Sequence, residues 1–340
     1  MHNETKHIRY AQGSKIYIYC PADHATGGPE ALHQLGHHLR LQGFDAFMYY
    51  FKMHNTDTIV HENYVKYQVP IAKTVENKPE HIIVFPEATL QPIFSRKYRS
   101  MQKVIWWLSV TNYYIFLKDY TATVNRKLRL RVRKALGALA IPTFENLKRK
   151  QILNLAHSYY SLVHLRENGI EPIGQISDYM NSAFFELAGH GEQKEDIIIY
   201  NPRKNDEFLE GIISLTPDLN WKPLANMSPN EVAGWMDRAK LYVDFGYHPG
   251  KERMPREACI MRCCMIIGKT GSAAYQSDMP IPEKYRFEKD DGQVPQIVER
   301  IRECLNHYDE RVNDFKPYRE ALYKEEEKFV SDIQKVFVKE

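Results

Sequence analysis

The 340 residues carry 46 basic and 43 acidic side chains, and the formal net charge of +3 is too small to indicate a nucleic-acid-binding protein. Hydrophobic residues make up 43% and charged residues 26% of the chain, which excludes a disordered protein and is enough for two domains with cores of their own. The five cysteines form no CxxC pair and no zinc spacing, and no apolar run is long enough to span a bilayer, so we expect a cytoplasmic enzyme with reduced thiols.

The first predicted elements are a strand, a helix and a second strand. Residues 15–20 are rich in β-forming side chains, and the helix that follows keeps leucines at helical spacing and ends at Gly43. Gly27 and Gly28 lie in the loop before this helix, and the next strand is predicted at 46–51. Such an alternation opens a doubly wound α/β domain.

Further strands are predicted at 81–86 and 103–108. In open α/β sheets, ligands bind outside the carboxyl ends of the strands, and Asp23, His24 and Glu87 all follow predicted strand ends. A substrate hydroxyl bound there would need a base or a proton shuttle for its reaction, and these three residues are the catalytic candidates.

A strongly basic stretch follows. Residues 125–150 carry nine basic side chains against one acid, Glu145, and apolar side chains from Leu128 to Leu139 fall on one helical face. One interpretation is an interfacial helix on an anionic membrane through residues 126–150, where each basic group adds about 1 kcal/mol. The other is a solvated helix that packs its leucines on the core. No aromatic interleaving accompanies the charge, so we expect no nucleic-acid partner.

The end of the first domain carries fewer signals. A helical stretch is predicted at 152–168 and a short strand within 169–181, and the polar segment 189–195 reads as the linker. We therefore place the first domain at 1–188, with a basic insertion at 112–150.

The second domain is predicted at 196–315 and opens with an apolar strand at 196–200, after which come Arg203 and Lys204. Its other predicted elements are a helix at 206–214, a strand at 221–223, a helix at 231–239 with a capping box at Ser228, a strand at 241–243, a helix from near Pro255, a strand at 265–267 and a helix at 294–306. The repeated βα pattern predicts a second parallel sheet. A last helix is predicted at 318–338, within a closing segment at 316–340.

The loop between Asp244 and Glu257 has the composition of a nucleotide site. A helix begins there, and the free amides and dipole of a helix N-terminus favour a phosphate. Lys251, Arg253 and Arg256 add positive charge. Glu257 would accept hydrogen bonds from ribose hydroxyls beside that phosphate. An ordinary solvated loop with a dipole-complementing glutamate is the alternative.

This half of the chain resembles the donor-binding half of GT-B glycosyltransferases, most of all the large retaining family 4, or group 1. The resemblance rests on the order of features along the chain. A strand is followed by glycine and proline, then by Glu257 and Ala258 in a helix of small residues, and then by an apolar strand and two further glycines. In that family a glutamate in this helix holds the donor ribose, and Glu257 is the matching residue. The family usually has a second glutamate where this chain has Pro249, with Glu252 displaced into the loop, so the paired-glutamate motif is incomplete.

The resemblance implies an α/β fold of two Rossmann-like domains facing across a cleft, with a C-terminal helix that crosses back to the first domain. Together with the composition of the loop it predicts that the donor is bound by Gly27, Gly28, Arg203, Lys204, Gly250, Lys251, Glu252, Arg253 and Glu257. No Asp-x-Asp pair occurs, so we expect no metal and no cofactor besides the donor itself.

The hypothesis is a metal-independent glycosyltransferase that moves a sugar from a nucleoside-diphosphate sugar to a saccharide or lipid-linked saccharide in cell-surface polysaccharide synthesis. If the basic helix touches a bilayer, the enzyme is peripheral on the inner face of the membrane. Two alternatives are a sugar-nucleotide epimerase of the same fold and a non-catalytic polysaccharide-assembly or binding protein.

Overall fold

The computed structural model describes residues 7–51, 59–180, 182–188, 193–204 and 206–340. The chain forms two units, one made of residues 1–178 with 327–340 and the other of residues 179–326. The division follows Asp178, ahead of the linker predicted at 189–195, of which residues 189–192 lie outside the described residues.

The first unit is built on a parallel sheet. Its strands before the chain leaves the unit are β1 (Ile8–Tyr10), β2 (Ile16–Pro21), β3 (Ala46–Phe51), β4 (Ile82–Pro86), β5 (Gln102–Trp107) and β6 (Leu153–Ala156). Five of them lie in the spatial order β3-β2-β4-β5-β6, and all neighbours run parallel. Every residue of β4 is buried, as expected of a central strand in a sheet covered on both faces.

Helices follow the strands in the first unit. They are α1 (Gly27–Leu41), α2 (Val110–Arg126), α3 (Leu128–Ala135), α4 (Phe144–Arg149) and α5 (Tyr159–Glu167). The helix predicted at 152–168 was wrong at its beginning, because Leu153–Ala156 pairs with β5 and α5 starts only after the cap at Ser158. The strand predicted within 169–181 was also wrong: only a single bridge forms there, between Gln175 and Ala156.

The second unit repeats the same architecture. Its elements are α6 (Ser182–Leu187), β7 (Glu195–Tyr200), α7 (Glu207–Leu215), β8 (Asn220–Pro223), α8 (Pro229–Arg238), β9 (Ala239–Asp244), α9 (Arg253–Ile260), β10 (Cys264–Gly268), β11 (Arg286–Phe287), α10 (Val294–Asn306), α11 (Tyr308–Arg311) and α12 (Lys316–Leu322). The parallel sheet has the spatial order β11-β10-β9-β7-β8. The predicted capping box is confirmed, since the Ser228 amide donates to the Glu231 carboxylate and the Glu231 amide donates to Ser228 Oγ.

The C-terminal segment returns to the first unit. The helix predicted at 318–338 is divided between α12 and α13 (Glu325–Val336), and β12 (Phe337–Lys339) pairs in parallel with β1. The predicted fold class is confirmed, with two Rossmann-like units and a C-terminal segment that belongs to the first. Among the described residues, none of the helices combines the length and apolarity that crossing a bilayer requires.

Strand order fixes where a ligand can bind in each unit. In the first sheet β2 lies between β3 and β4, and in the second β7 lies between β8 and β9. At such a reversal the connections leave on opposite faces, and a crevice opens outside the carboxyl ends of the two central strands. The loops after β2 and β4, and those after β7 and β9, are therefore the candidate site-forming segments.

Candidate active site

Three loops meet at the carboxyl edge of the second sheet. They are residues 201–204 after β7, 245–252 after β9 and 269–272 after β10. Thr270 Oγ1 donates to the Gly246 carbonyl at 2.6 Å, and Ser272 Oγ donates to the Gly250 carbonyl at 2.6 Å. Side chains after β10 thus fix the path of the loop after β9, which leads into α9.

Two glycines are required by the packing of these loops. A Cβ at Gly246 would lie 2.5 Å from Lys204 Cβ and 2.9 Å from its carbonyl oxygen, so the backbones of the first two loops touch here. Gly271 has φ +54°, and a Cβ there would lie 2.0 Å from the His248 carbonyl oxygen. Larger residues at either position would separate the loops.

Lys204 faces a carboxylate of the neighbouring loop. Its Nζ lies 2.5 Å from Glu252 Oε2, and both side chains are less than a quarter exposed. Glu252 is also the residue immediately before α9. The ammonium group therefore lies beside the N-terminus of this helix, where an anion would be stabilised.

A buried acid lies beneath this loop. Asp244 ends β9 and accepts hydrogen bonds from the Tyr242 hydroxyl at 2.7 Å and the Gly246 amide at 2.8 Å. Burial opposes its ionisation, but the His248 imidazole at 3.5 Å, the charge of Lys204 and the Tyr242 hydrogen bond lower the pKa of Asp244 to about 2. Asp244 is therefore ionised at neutral pH and anchors the turn at Gly246.

Glu257 belongs to the same electrostatic cluster. It lies in the second turn of α9, which begins at Arg253, two residues before the predicted start, and it is buried. The pKa of Tyr242 is raised well above its ordinary value, first by burial and then by Asp244, Glu252 and Glu257. Of these carboxylates, Asp244 accepts the hydrogen bond of the Tyr242 hydroxyl, and Glu257 lies on α9 one turn after Arg253, the first residue of the helix.

Two of the basic residues that were predicted to favour a phosphate form ion pairs with Glu325 instead. Lys251 Nζ lies 2.5 Å from Glu325 Oε1, and the fully buried guanidinium of Arg256 lies 3.1 Å from Glu325 Oε2. Arg256 also donates to the carbonyls of Glu252 and Lys251. Glu325 thus holds both side chains away from solvent and offsets one of their two charges, and Arg256 braces the loop from inside.

The remaining cations of the site are Arg203 and Arg253. Arg203 is exposed, and its guanidinium forms no ion pair with another described residue. Arg253, the first residue of α9, is half-buried. The roles of Asp244, His248, Thr270 and Ser272 were not predicted. The signals for them in the sequence were an acid at the end of a strand and two hydroxyl residues on either side of Gly271.

The residues predicted in the first unit lie at its own strand reversal. Asp23 follows β2, is half-buried and has φ +46°, and His24 is exposed. Gly27 and Gly28 begin α1, and a Cβ at Gly28 would lie 3.7 Å from Leu108, an ordinary contact. The protein's own packing therefore does not require glycine at position 28.

Glu87 follows β4 and is fully buried. Leu108 N donates to its Oε2 at 2.8 Å. Burial raises the pKa of Glu87 to about 8, against the lowering effect of the amides of Leu108, Glu87 and Ser109. Its carboxyl group is therefore protonated at neutral pH and can hold a proton for transfer.

Known proteins resemble this chain in fold but not in sequence. No family model matches the sequence, and no curated protein matches it. Sucrose-phosphate synthase from Thermosynechococcus elongatus matches with a TM-score of 0.58 and 13% identity, over 94% of this chain and 97% of that one. Anabaena Alr3699/HepE, solved with UDP-glucose, matches with a TM-score of 0.56 and 11% identity, over 93% and 98% of the two chains.

TarM of S. aureus matches with a TM-score of 0.51 and 14% identity, over 76% of this chain. That match covers 54% of TarM, so this chain spans about half its length. At these identities the likenesses show the fold alone. The chain has the GT-B fold that the resemblance implied.

Proposed function

We propose that this protein is a glycosyltransferase that moves a sugar from a nucleoside-diphosphate sugar to a saccharide acceptor, with the donor bound by the second unit. The observation that carries the proposal is the convergence of Lys204, the N-terminus of α9 and the buried Glu257 at the strand reversal of that unit. HepE, which has the same fold, was solved with UDP-glucose, so UDP is the donor nucleotide to test first.

The geometry supports a role for each donor-side group. When the glycosidic bond to the diphosphate breaks, negative charge grows on the leaving phosphate, and cations and amides fixed beside it lower the barrier. Lys204, Arg203 and the first amides of α9 would supply that stabilisation. Glu257 would accept hydrogen bonds from the ribose hydroxyls.

Lys204 must exchange partners for this to occur. In the structure its ammonium group is paired with Glu252, so a bound diphosphate would displace that carboxylate. We infer that donor binding turns Glu252 away from Lys204, either towards solvent or towards a sugar hydroxyl.

The first unit would supply the acceptor side. Asp23, His24 and Glu87 are the groups at its strand reversal that can exchange a proton with an acceptor hydroxyl. Gly27 and Gly28 would let the backbone approach the donor, and the tolerance of the fold for a side chain at position 28 agrees with a functional need for glycine. A saccharide or lipid-linked saccharide of cell-surface polysaccharide synthesis is the acceptor class we propose, and the reaction would be metal-independent and cytoplasmic.

The test is a thermal-shift panel of UDP, GDP, dTDP and CMP, followed by donor hydrolysis. A ligand at 100 times its dissociation constant adds about 2.7 kcal/mol to the free energy of unfolding, which is readily measured. UDP is expected to raise the melting temperature, and UDP-sugar to be hydrolysed slowly without acceptor. No shift with any of the four nucleotides would contradict the proposal, and a new epimer formed from UDP-sugar alone would favour the epimerase.

A further inference from the structure

We propose that α3, together with the residues that lead into it, docks on the surface of an anionic lipid bilayer. None of the residues of α3 is buried. Leu128, Val132 and Leu136 are 71%, 48% and 77% exposed, and the spacing of four residues places them on one face of the helix. Leu128, Val132 and Leu136 therefore do not pack on the core, as the alternative had it, whereas Leu139 lies beyond the end of α3 and is half-buried.

The charge around this apolar face has one sign. Six basic side chains surround it: Arg126, Lys127, Arg129, Arg131, Arg133 and Lys134. No acidic residue occurs between Asp119 and Glu145, and within the described part of the chain none of the six forms an ion pair with a carboxylate. Their charge is therefore available to an external anionic partner.

A bilayer satisfies both features of the helix. An interfacial helix buries its apolar face at the boundary of the acyl chains while its basic groups contact anionic headgroups. A nucleic acid would neutralise the cations but leave the exposed leucine and valine side chains without an apolar partner, and no exposed aromatic residue of α3 could stack on bases. The combination therefore favours lipid.

A groove runs along α2, the helix that precedes α3. It has a volume of about 460 Å³ and is lined by Ala88, Ile115, Phe116, Tyr120 and polar neighbours. Its lining includes Ala88, the residue after Glu87, and Tyr120 on α2, and α2 packs against α3. A saccharide carried on a membrane lipid would reach the first unit along this groove. This choice of acceptor rests on the proposed function; the bilayer contact does not.

Flotation of the purified full chain tests the contact, with vesicles of phosphatidylcholine alone and with about 30% phosphatidylglycerol. The wild type is expected to float only with the anionic vesicles, and less at high salt. The variant Arg129→Gln, Arg131→Gln, Arg133→Gln should partition about 100-fold more weakly, since each basic group contributes about a factor of five. The matched control, Lys73→Gln, Arg99→Gln, Lys316→Gln, removes three exposed cations elsewhere and should stay within about threefold of wild type.

A second variant, Leu128→Ser, Val132→Ser, Leu136→Ser, keeps the charge and should lose the binding that survives high salt. Wild-type protein that stays at the bottom of the gradient, or equal flotation of all variants, would overturn the proposal. So would binding of a labelled nucleic acid duplex that depends on the arginines and not on the apolar residues. UDP affinity, measured on the same preparations, should be unchanged in every variant, so failure of the membrane contact and failure of the donor site give different results.

Discussion

Replacing Lys204 by Met keeps an unbranched side chain without the terminal ammonium group, so Lys204→Met tests the contact between that group and a diphosphate. The group lies 2.5 Å from Glu252 and is only 24% exposed, which places it in a partly desolvated site. A hydrogen bond to a charged group there contributes about 1.5–3 kcal/mol. We therefore expect the dissociation constant for UDP to rise about 10- to 150-fold.

The assay is isothermal titration with UDP and, in parallel, with uridine. Uridine lacks the phosphates, so its affinity should be unchanged in Lys204→Met. The matched control is Lys240→Met, because Lys240 forms a similar ion pair with Asp196 at 2.6 Å, is 21% exposed and lies near the amino ends of β9 and β7. Lys240→Met should bind UDP with the same dissociation constant as the wild type.

The companion variant Glu252→Gln removes the carboxylate that competes for Lys204. UDP should then bind equally or up to about fivefold more tightly, since a neutral amide competes less well than a charged partner. If Lys204→Met binds UDP within twofold of the Lys240 control, or if uridine affinity falls as far as UDP affinity, Lys204 does not hold the diphosphate.

Three further predictions follow from the same geometry. Gly246→Ala places a Cβ 2.5 Å from Lys204 Cβ and should weaken UDP binding at least about tenfold. The control Gly211→Ala, in open space within α7, should raise the free energy of unfolding by about 1 kcal/mol and leave UDP affinity unchanged. If the two variants have the same UDP affinity in titration and the same stability in urea, the prediction is wrong. Glu257→Ala should abolish discrimination between UDP and 2′-deoxy-UDP, and an unchanged affinity ratio would remove it from the ribose site. The folded protein holds a proton on Glu87 up to about pH 8, whereas the unfolded chain releases it near pH 4.5. The free energy of unfolding therefore falls as pH rises between these values, by about 1.4 kcal/mol per pH unit from this group. Glu87→Gln should lack that slope in urea titrations between about pH 5.5 and 7.5, and equal slopes in the two proteins would refute the raised pKa.

Much of the fold could be predicted from local patterns. Apolar strands that alternate with amphipathic segments determine both sheets, and the cap at Ser228 was readable because its partner lies three residues away. β6 was missed because it has only four residues and lies directly before a helix, so periodicity cannot separate the two. The exposure of Leu128, Val132 and Leu136 could not be predicted from sequence, since an amphipathic pattern describes a core-packing helix and an interfacial one equally well.

The ion-pair partners of the charged residues in the candidate site could not be predicted from the sequence. Placing Lys204 and Glu257 in one unit followed from the order of the elements, whereas the partner of each charge depends on contacts between residues far apart in the chain. Lys251 was predicted to bind the donor, yet its ammonium group faces Glu325, 74 residues away. Local composition predicts that a loop is basic; only packing determines which of its cations remain available to a ligand.

The most direct measurement is a crystal structure of the full chain with UDP. We expect the diphosphate oxygens to lie about 3 Å from Lys204 Nζ and from the first amides of α9, with Glu252 turned away and the ribose beside Glu257. UDP bound away from these three loops, or an undisturbed pair of Lys204 and Glu252 at saturating UDP, would contradict it.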